Sequence, residues 1–300
     1  MSTPGTWLCL ASGVAFGTMA IFGKLAYDEG ATVGTLLAVR FAVAAALFWV
    51  LVARSGAVPR LRAIPCRDLV TAFALGAVAY SAQAGAYFAA LRRLDASLLS
   101  LLVYTFPAIV TVAAIALGRE RASRRTTAAL VIASVGLVLI LVVPGAGALD
   151  PLGATLGLAA AVVYSTYILI SQGMVERIGP LVLSALVCTG AATTLTLASA
   201  ASGDLQPGSV TGAGFGWLAG IAVVSTVGAV SLFFAGLQRV GPSAASILSS
   251  AEPLVTVLLA FLVFGESLGP VQLAGGALVL GAVLVLNARV RGSGMSEWAA

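Results

Sequence analysis

The sequence predicts an all-α polytopic membrane protein, with ten transmembrane helices arranged as two inverted five-helix repeats. Three observations carry this prediction. Hydrophobic residues make up 60% of the 300 positions and charged residues 9%, with no histidine; charged residues approach a quarter of a soluble domain. Breaking the chain at charges, prolines and glycine clusters leaves ten apolar runs near the length of about 20 residues that crosses a bilayer. The second half also echoes the first: Ser97, Pro107 and Glu120 return as Ser243, Pro253 and Glu266, each pair 146 positions apart.

In chain order, the predicted spans are 6–26, 32–53, 69–90, 95–117, 126–143, 152–171, 180–201, 214–236, 242–264 and 270–288. No basic region precedes the first run, so it reads as a retained helix and not as a signal peptide. Its Gly13 and Gly17, like Gly275 in the tenth run, offer a small face for close helix packing. The third and fourth runs are separated by little more than Arg92 to Leu94, which forces an antiparallel hairpin. Between Pro144 and Pro151 the Pro/Gly content marks a linker. The chain therefore divides into a first repeat at 1–146, a second at 147–291 and a cytoplasmic tail at 292–300. The uninterrupted runs are too long for β-barrel strands, which alternate and stay near ten residues.

Lysine and arginine set the orientation. With the N-terminus inside, the cytoplasmic loops hold twelve of the sixteen basic residues, among them Arg54, Arg60, Arg62, Arg67, Arg124, Arg125, Arg289 and Arg291. Lys24, Arg92 and Arg93 lie outside, the last two against the trend, and Arg40 lies within a span. Both termini are then cytoplasmic. Five spans per repeat is an odd number, so the repeats face opposite ways, a symmetry common among secondary transporters.

The net charge of +5 falls in these loops and implies no nucleic-acid partner. Cys9, Cys66 and Cys188 are scattered and form no disulfide framework or zinc site. With no histidine, no metal-ligand cluster and no phosphate loop, neither an enzyme nor a cofactor is indicated. Any transport would draw on a gradient or on exchange.

Polar residues at membrane depth are the candidate site. Tyr80, Gln83 and Tyr87 share one face of the third span at i, i+3 and i+7. They read as a cavity wall, with an interfacial position as the alternative for Tyr87. At the 146 offset they become Thr226, Ala229 and Phe233, so the stripe is not repeated. Tyr164, Tyr167 and Ser171 form a similar stripe on the sixth span, and Phe16 on the first stands in the place corresponding to Tyr164. Tyr104 lies one turn before Pro107, which frees the carbonyl of residue 103 and kinks its helix. Pro253 does the same to Ser249. Two matched kinks serve as hinges, or as packing features alone. Glu252 is the one acidic residue near mid-membrane, where a charge costs at least about 2.5 kcal/mol. It can bind an ammonium group, exchange a proton, or pair with Arg40. Arg40, Glu120 and Glu266 are expected in gating or structural roles.

Ala-Leu-x-x-Leu-Asp-Ala-Ser at 90–97 leads to Pro107 and Glu120, and Gly236-Leu237 leads to Ser243, Glu252-Pro253 and Gly265-Glu266. In this order and repetition, the chain resembles the EamA-type transporters of the drug/metabolite transporter superfamily over nearly its whole length. It departs from them in Gly118-Arg119-Glu120, where the family has Gly-Glu adjacent, and in Phe16-Gly17, where many members have Trp-Gly. The resemblance implies a central cavity lined by helices 1, 3, 4, 6, 8 and 9, and a substrate site of Phe16, Tyr80, Gln83, Tyr87, Tyr104, Tyr164 and Glu252. It also implies an inner-membrane exporter of amino acids or related metabolites working by alternating access, with the bilayer, a small-molecule substrate and protons as partners. An uncoupled facilitator of the same solutes is the nearest alternative, and a scaffold or sensor without flux a more distant one. The absence of a basic cluster argues against phosphorylated sugars.

Overall fold

The computed structural model describes residues 3–56, 63–118, 124–142, 150–240, 248 and 251–287, and these are helical apart from short connections. We number the apolar helices in chain order. α1 is Thr3–Gly17 continued by Met19–Asp28, and α2 is Val33–Arg54. α3 comprises Cys66–Ala74, Leu75–Tyr80 and Ser81–Leu91, and α4 comprises Ala96–Val103 and Phe106–Ala116. α5 is Arg124–Val142, α6 Pro151–Ile178 and α7 Pro180–Ala201. α8 comprises Gly212–Gly220, Ile221–Gly228 and Ala229–Val240; α9 is Ala251–Phe264 and α10 Pro270–Asn287. Among the described residues seven helices are long and apolar enough to cross a membrane, and three shorter apolar helices lie within α5, α9 and α10. The protein is a multi-pass membrane protein.

The distribution of large and small side chains fits lipid as the surrounding medium. Val131 and Val138 on α5, and Leu254, Leu258, Phe261 and Leu262 on α9, point outward and are more than half exposed. Helix contacts inside the bundle are made by small residues. A Cβ on Gly17 of α1 would lie 2.8 Å from Val255 Cγ1 and 3.0 Å from the Glu252 carbonyl of α9. Gly136 and Gly275 bring α5 and α10 together, each Cβ position 2.7 Å from the other's carbonyl oxygen. Where α3 crosses α7, Gly76 abuts the Val187 carbonyl and Gly190 abuts the Phe73 carbonyl. Lipid is as apolar as leucine, so close backbone approach supplies the packing that hydrophobic burial cannot. Hydroxyls add polar links: Ser12 Oγ donates to the Ala229 carbonyl (2.8 Å), and Thr256 Oγ1 to the Gly17 carbonyl (3.1 Å).

The third and eighth spans, expected as uniform helices, each contain a π-helical segment. These begin at Leu75 and Ile221, again 146 positions apart. Each wide turn is filled by a hydroxyl reaching back five residues: Ser81 Oγ to the Gly76 carbonyl and Thr226 Oγ1 to the Ile221 carbonyl, both 2.9 Å. α4 is interrupted at Tyr104–Thr105, so Pro107 sits in the first turn of Phe106–Ala116, where a missing amide is harmless. The proline thus divides its helix more sharply than a kink. Ser243, Ser249, Glu120 and the tail 292–300 lie outside the described residues.

One end of the bundle is stitched together by side chains. Glu266, just beyond α9, accepts from the Ala96 and Ser97 amides and from Ser97 Oγ at the start of α4 (3.1, 3.0 and 3.0 Å). It also pairs with Lys24 near the end of α1 at 2.7 Å. Asp204, after α7, accepts from Gly34 N (2.7 Å) at the start of α2, and Thr32 bonds its carbonyl. Arg93, which runs against the charge trend, pairs with Asp150 at 3.0 Å, and the Arg92 guanidinium lies 5.5 Å from the Tyr27 ring centre. Both basic residues are thereby neutralised or stacked. At the far ends of α3 and α6, Asp68 pairs with Arg177.

Backbone crossings this tight make a definite stability prediction. Gly190→Ala is expected to cost about 1–3 kcal/mol, because the added methyl meets a main-chain carbonyl and α7 must move away. Gly85→Ala, with nothing within 4 Å of its Cβ position, is expected to be neutral or mildly stabilising. Thermal unfolding in detergent compares the two; equal midpoints would remove the close α3–α7 crossing as a stabilising feature.

Candidate functional site

Aromatic rings run in unbroken contact through the middle of the bundle. Phe41 of α2 meets Tyr80 of α3 edge-on at 5.5 Å, Tyr80 meets Tyr167 of α6 at 5.0 Å, and Tyr167 stacks on Tyr164 at 6.1 Å. Tyr164 then meets Phe106 of α4 at 4.9 Å, and Phe106 meets Tyr104 at 5.6 Å. Edge-to-face and offset pairs such as these hold rings rigidly. The wall joins α3 and α4 to α6, and so crosses between the two halves of the sequence.

Tyr80, Tyr87, Tyr164, Tyr167 and Glu252 are each half-buried and keep some accessible surface. Glu252 lies on α9, where its carbonyl approaches α1 at Gly17. Its carboxyl has no hydrogen bond or ion pair with any described residue, but its charge reaches Tyr80, Tyr87 and Tyr164. Gln83 is half-buried, and its amide makes no hydrogen bond to a described residue. Phe16 is half-buried on α1, between the two glycines that approach α9, and stands apart from the ring chain. Tyr104 is 6% exposed and meets the Phe106 ring edge-on.

Arg40 does not pair with Glu252. Its Nε donates to Thr226 Oγ1 at 3.0 Å, and its guanidinium lies over the Phe41 and Phe88 rings at 4.8 and 5.4 Å. Pro107 lies in the first turn of the helical segment that carries Phe106, and Pro253 is buried on α9 next to Glu252. Phe106 and Phe41 went unnoticed as wall residues in the sequence, where apolar rings in apolar helices carry no signal. The i, i+3 spacing of Tyr164 and Tyr167 was the one available clue to that side of the wall.

Comparison with known proteins supplies the class. The model of the EamA-like transporter family matches residues 3–142 and again 151–288. The chain belongs to the EamA-like transporter family. This EamA-like protein is 29% identical over 279 residues to the uncharacterized transporter YcbK of Bacillus subtilis (strain 168), covering 90% of this chain and 88% of that one. An uncharacterized transporter of Archaeoglobus fulgidus is 30% identical over 202 residues, 66% of this chain and 70% of its own. Uncharacterized transporter YwfM of Bacillus subtilis (strain 168) is 35% identical over 146 residues, 48% of each chain. A crystal structure shares the fold at a TM-score of 0.65 and 18% identity, over 97% of this chain and 99% of that one. Family and relatives make this a membrane transporter and not an enzyme.

The Glu266 cluster yields a pH prediction. Burial of this carboxyl, whose side chain is 7% exposed, pushes its pKa up, but the Lys24 ammonium and the Ser97 and Ala96 amides outweigh that and hold it below its ordinary 4.5. A carboxyl held low stabilises the fold above its ordinary value, and that contribution disappears as pH falls through the depressed folded-state value. Glu266→Gln is therefore expected to lower stability by about 1–3 kcal/mol at pH 7, with the difference from wild type closing below about pH 4. A difference independent of pH would assign the loss to packing and not to charge.

Proposed function

We propose that this chain is a secondary transporter of a small organic metabolite, an amino acid or a related compound, moved by alternating access. The observation that carries this reading is Glu252, an unpaired carboxyl enclosed at membrane depth and facing an aromatic wall built from both halves of the sequence. A charged group so placed needs water, a proton or a bound cation. Tyr80, Gln83, Tyr87, Tyr164, Tyr167, Phe106 and Glu252 form the proposed substrate site, with Phe16 at its α1 edge and Tyr104 behind it.

The moving parts follow from an inverted-repeat frame of ten spans. Exchanging α1–α5 for α6–α10 turns the α1–α8 contact into α6–α3 and the α1–α9 contact into α6–α4. The α2–α7, α4–α9 and α5–α10 contacts map onto themselves. α1 ends where α6 begins, and Glu266 after α9 caps the start of α4, as antiparallel repeats require. The two family matches fit repeats at 1–146 and 147–291. Pro107 and Pro253 are the proposed hinges. With basic loops inside, both termini are cytoplasmic, the membrane is the inner membrane, and the end stitched by Lys24, Glu266 and Asp204 is the outer gate, closed in this structure. The direction is export.

Glu252 sits where a proton could be exchanged during the cycle, which separates coupled transport from simple facilitation. In proteoliposomes loaded with amino acids, an imposed pH gradient is expected to change efflux severalfold, and Glu252→Gln to abolish that response. Efflux that ignores both the gradient and the substitution would establish a facilitator. In cells, overproduction is expected to give resistance to toxic amino acids or analogues, reduced at least about tenfold by Gln83→Ala or Glu252→Gln. No resistance to any amino acid would turn the assignment toward another metabolite.

A further inference from the structure

Arg40 is 3% exposed in the middle of α2, and only its Nε is engaged by the protein, through Thr226 Oγ1. Among the described residues the ion pairs are Lys24–Asp95, Lys24–Glu266, Arg93–Asp150 and Arg177–Asp68, so no carboxylate balances Arg40. Nη1 and Nη2 have no hydrogen-bond partner there either. They are not sealed away: Ser231 Oγ is the one described side-chain polar atom that is both fully buried and unpartnered. The N–H groups at the end of the fork therefore keep some accessible surface. Tyr80 and Tyr87 of α3 and Cys188 of α7 are within electrostatic range of Arg40. Tyr80 and Tyr87 are within range of Glu252 as well, so the same two tyrosines neighbour both groups.

Opposite charges in one low-dielectric space gain most by closing into contact. Here two different anchors keep them apart. Thr226 and the Phe41 and Phe88 rings hold the guanidinium on the α2–α8 side, and the packing of α1 on α9 through Gly17 holds Glu252 across from it. Each is left short of a partner, and leaving a buried ion unpaired is costly. A solute that carries both signs satisfies both at once. We propose that Arg40 is the anion anchor of the transported solute: its Nη fork takes a carboxylate, while Glu252 takes the ammonium of the same zwitterion. The aromatic wall receives the solute's remaining apolar part. A lone guanidinium with no second basic group matches the single charge of a carboxylate better than the two charges of a phosphate monoester. This assignment rests on the transporter reading above and replaces the gating or structural role expected for Arg40.

The test uses the full chain in detergent and reads ligand binding as protection against heat. The probes are L-phenylalanine and L-leucine, their amides, which lack the carboxylate, and 3-phenylpropionate and 4-methylpentanoate, which lack the ammonium. Wild type is expected to bind at least one amino acid at least about tenfold more tightly than its amide. Arg40→Gln is expected to bring the acid and the amide to within about twofold, while Glu252→Gln leaves the preference for the carboxylate in place. Arg40→Lys, which keeps the charge and loses the fork, should fall between. Should Arg40→Gln fail to fold, the wild-type panel decides alone. Equal binding of acid and amide by wild type would overturn the Arg40 assignment and leave the transporter reading intact. Protection by none of the probes would overturn it as well, and the cellular resistance assay would then report separately on transport.

Discussion

Helices in lipid gain little by burying leucine against leucine, and the fold depends on that constraint. What holds this bundle is the approach of backbone to backbone at positions without a side chain, reinforced by hydroxyls that reach neighbouring carbonyls. Gly17 against the Glu252 carbonyl, Gly76 and Gly190 at the α3–α7 crossing, and Gly136 against Gly275 are among the points of close approach. They fix the helices that carry the candidate site. Glu252 is held in place because α1 packs on α9 immediately beside it. Tyr80 projects from the far end of a π segment that begins at the α3–α7 crossing. Packing and site are therefore set by the same few contacts.

The site breaks the pattern of the repeat on which it is built. π segments start at equivalent positions in α3 and α8, and the helix contacts map onto one another when the halves are exchanged. The side chains at the centre do not. Glu252 corresponds to Phe106, and Thr226, the partner of Arg40, corresponds to Tyr80. A site whose ligand has a positive end, a negative end and an apolar body has no use for two-fold symmetry. Conservation of the frame and divergence of its lining are what an asymmetric ligand in a symmetric mechanism requires.

Charge at the bundle end is treated differently from charge at its centre. Glu266 is satisfied by two amides, a hydroxyl and an ammonium, and Asp204 and Asp150 each serve a helix start. Carboxylates placed at helix N-termini gain from the orphan amides and from the helix dipole. Arg40 and Glu252 lack such saturation. Their lack of partners among the described residues is what the proposed binding roles rest on, whereas the completeness of the end cluster fits the proposed closure.

The sequence alone determined the class of this protein. Long apolar runs, a charged fraction of only 9% and a repeat at a fixed offset are one-dimensional signals, because the bilayer imposes length and hydropathy locally. It also exposed Glu252 and Gln83, since a polar residue in an apolar run is conspicuous wherever it points. The tertiary structure decided what one dimension cannot hold. Phe106 and Phe41 became wall residues only when α2, α4 and α6 converged, for a ring in an apolar helix looks the same whether it faces lipid or substrate. The π segment of α3 lies where that helix crosses α7 closely, a contact no local pattern announces. Arg40, for which pairing with Glu252 was one alternative, instead bonds Thr226 through its Nε, a partner 186 residues further along the chain that no local pattern could reveal.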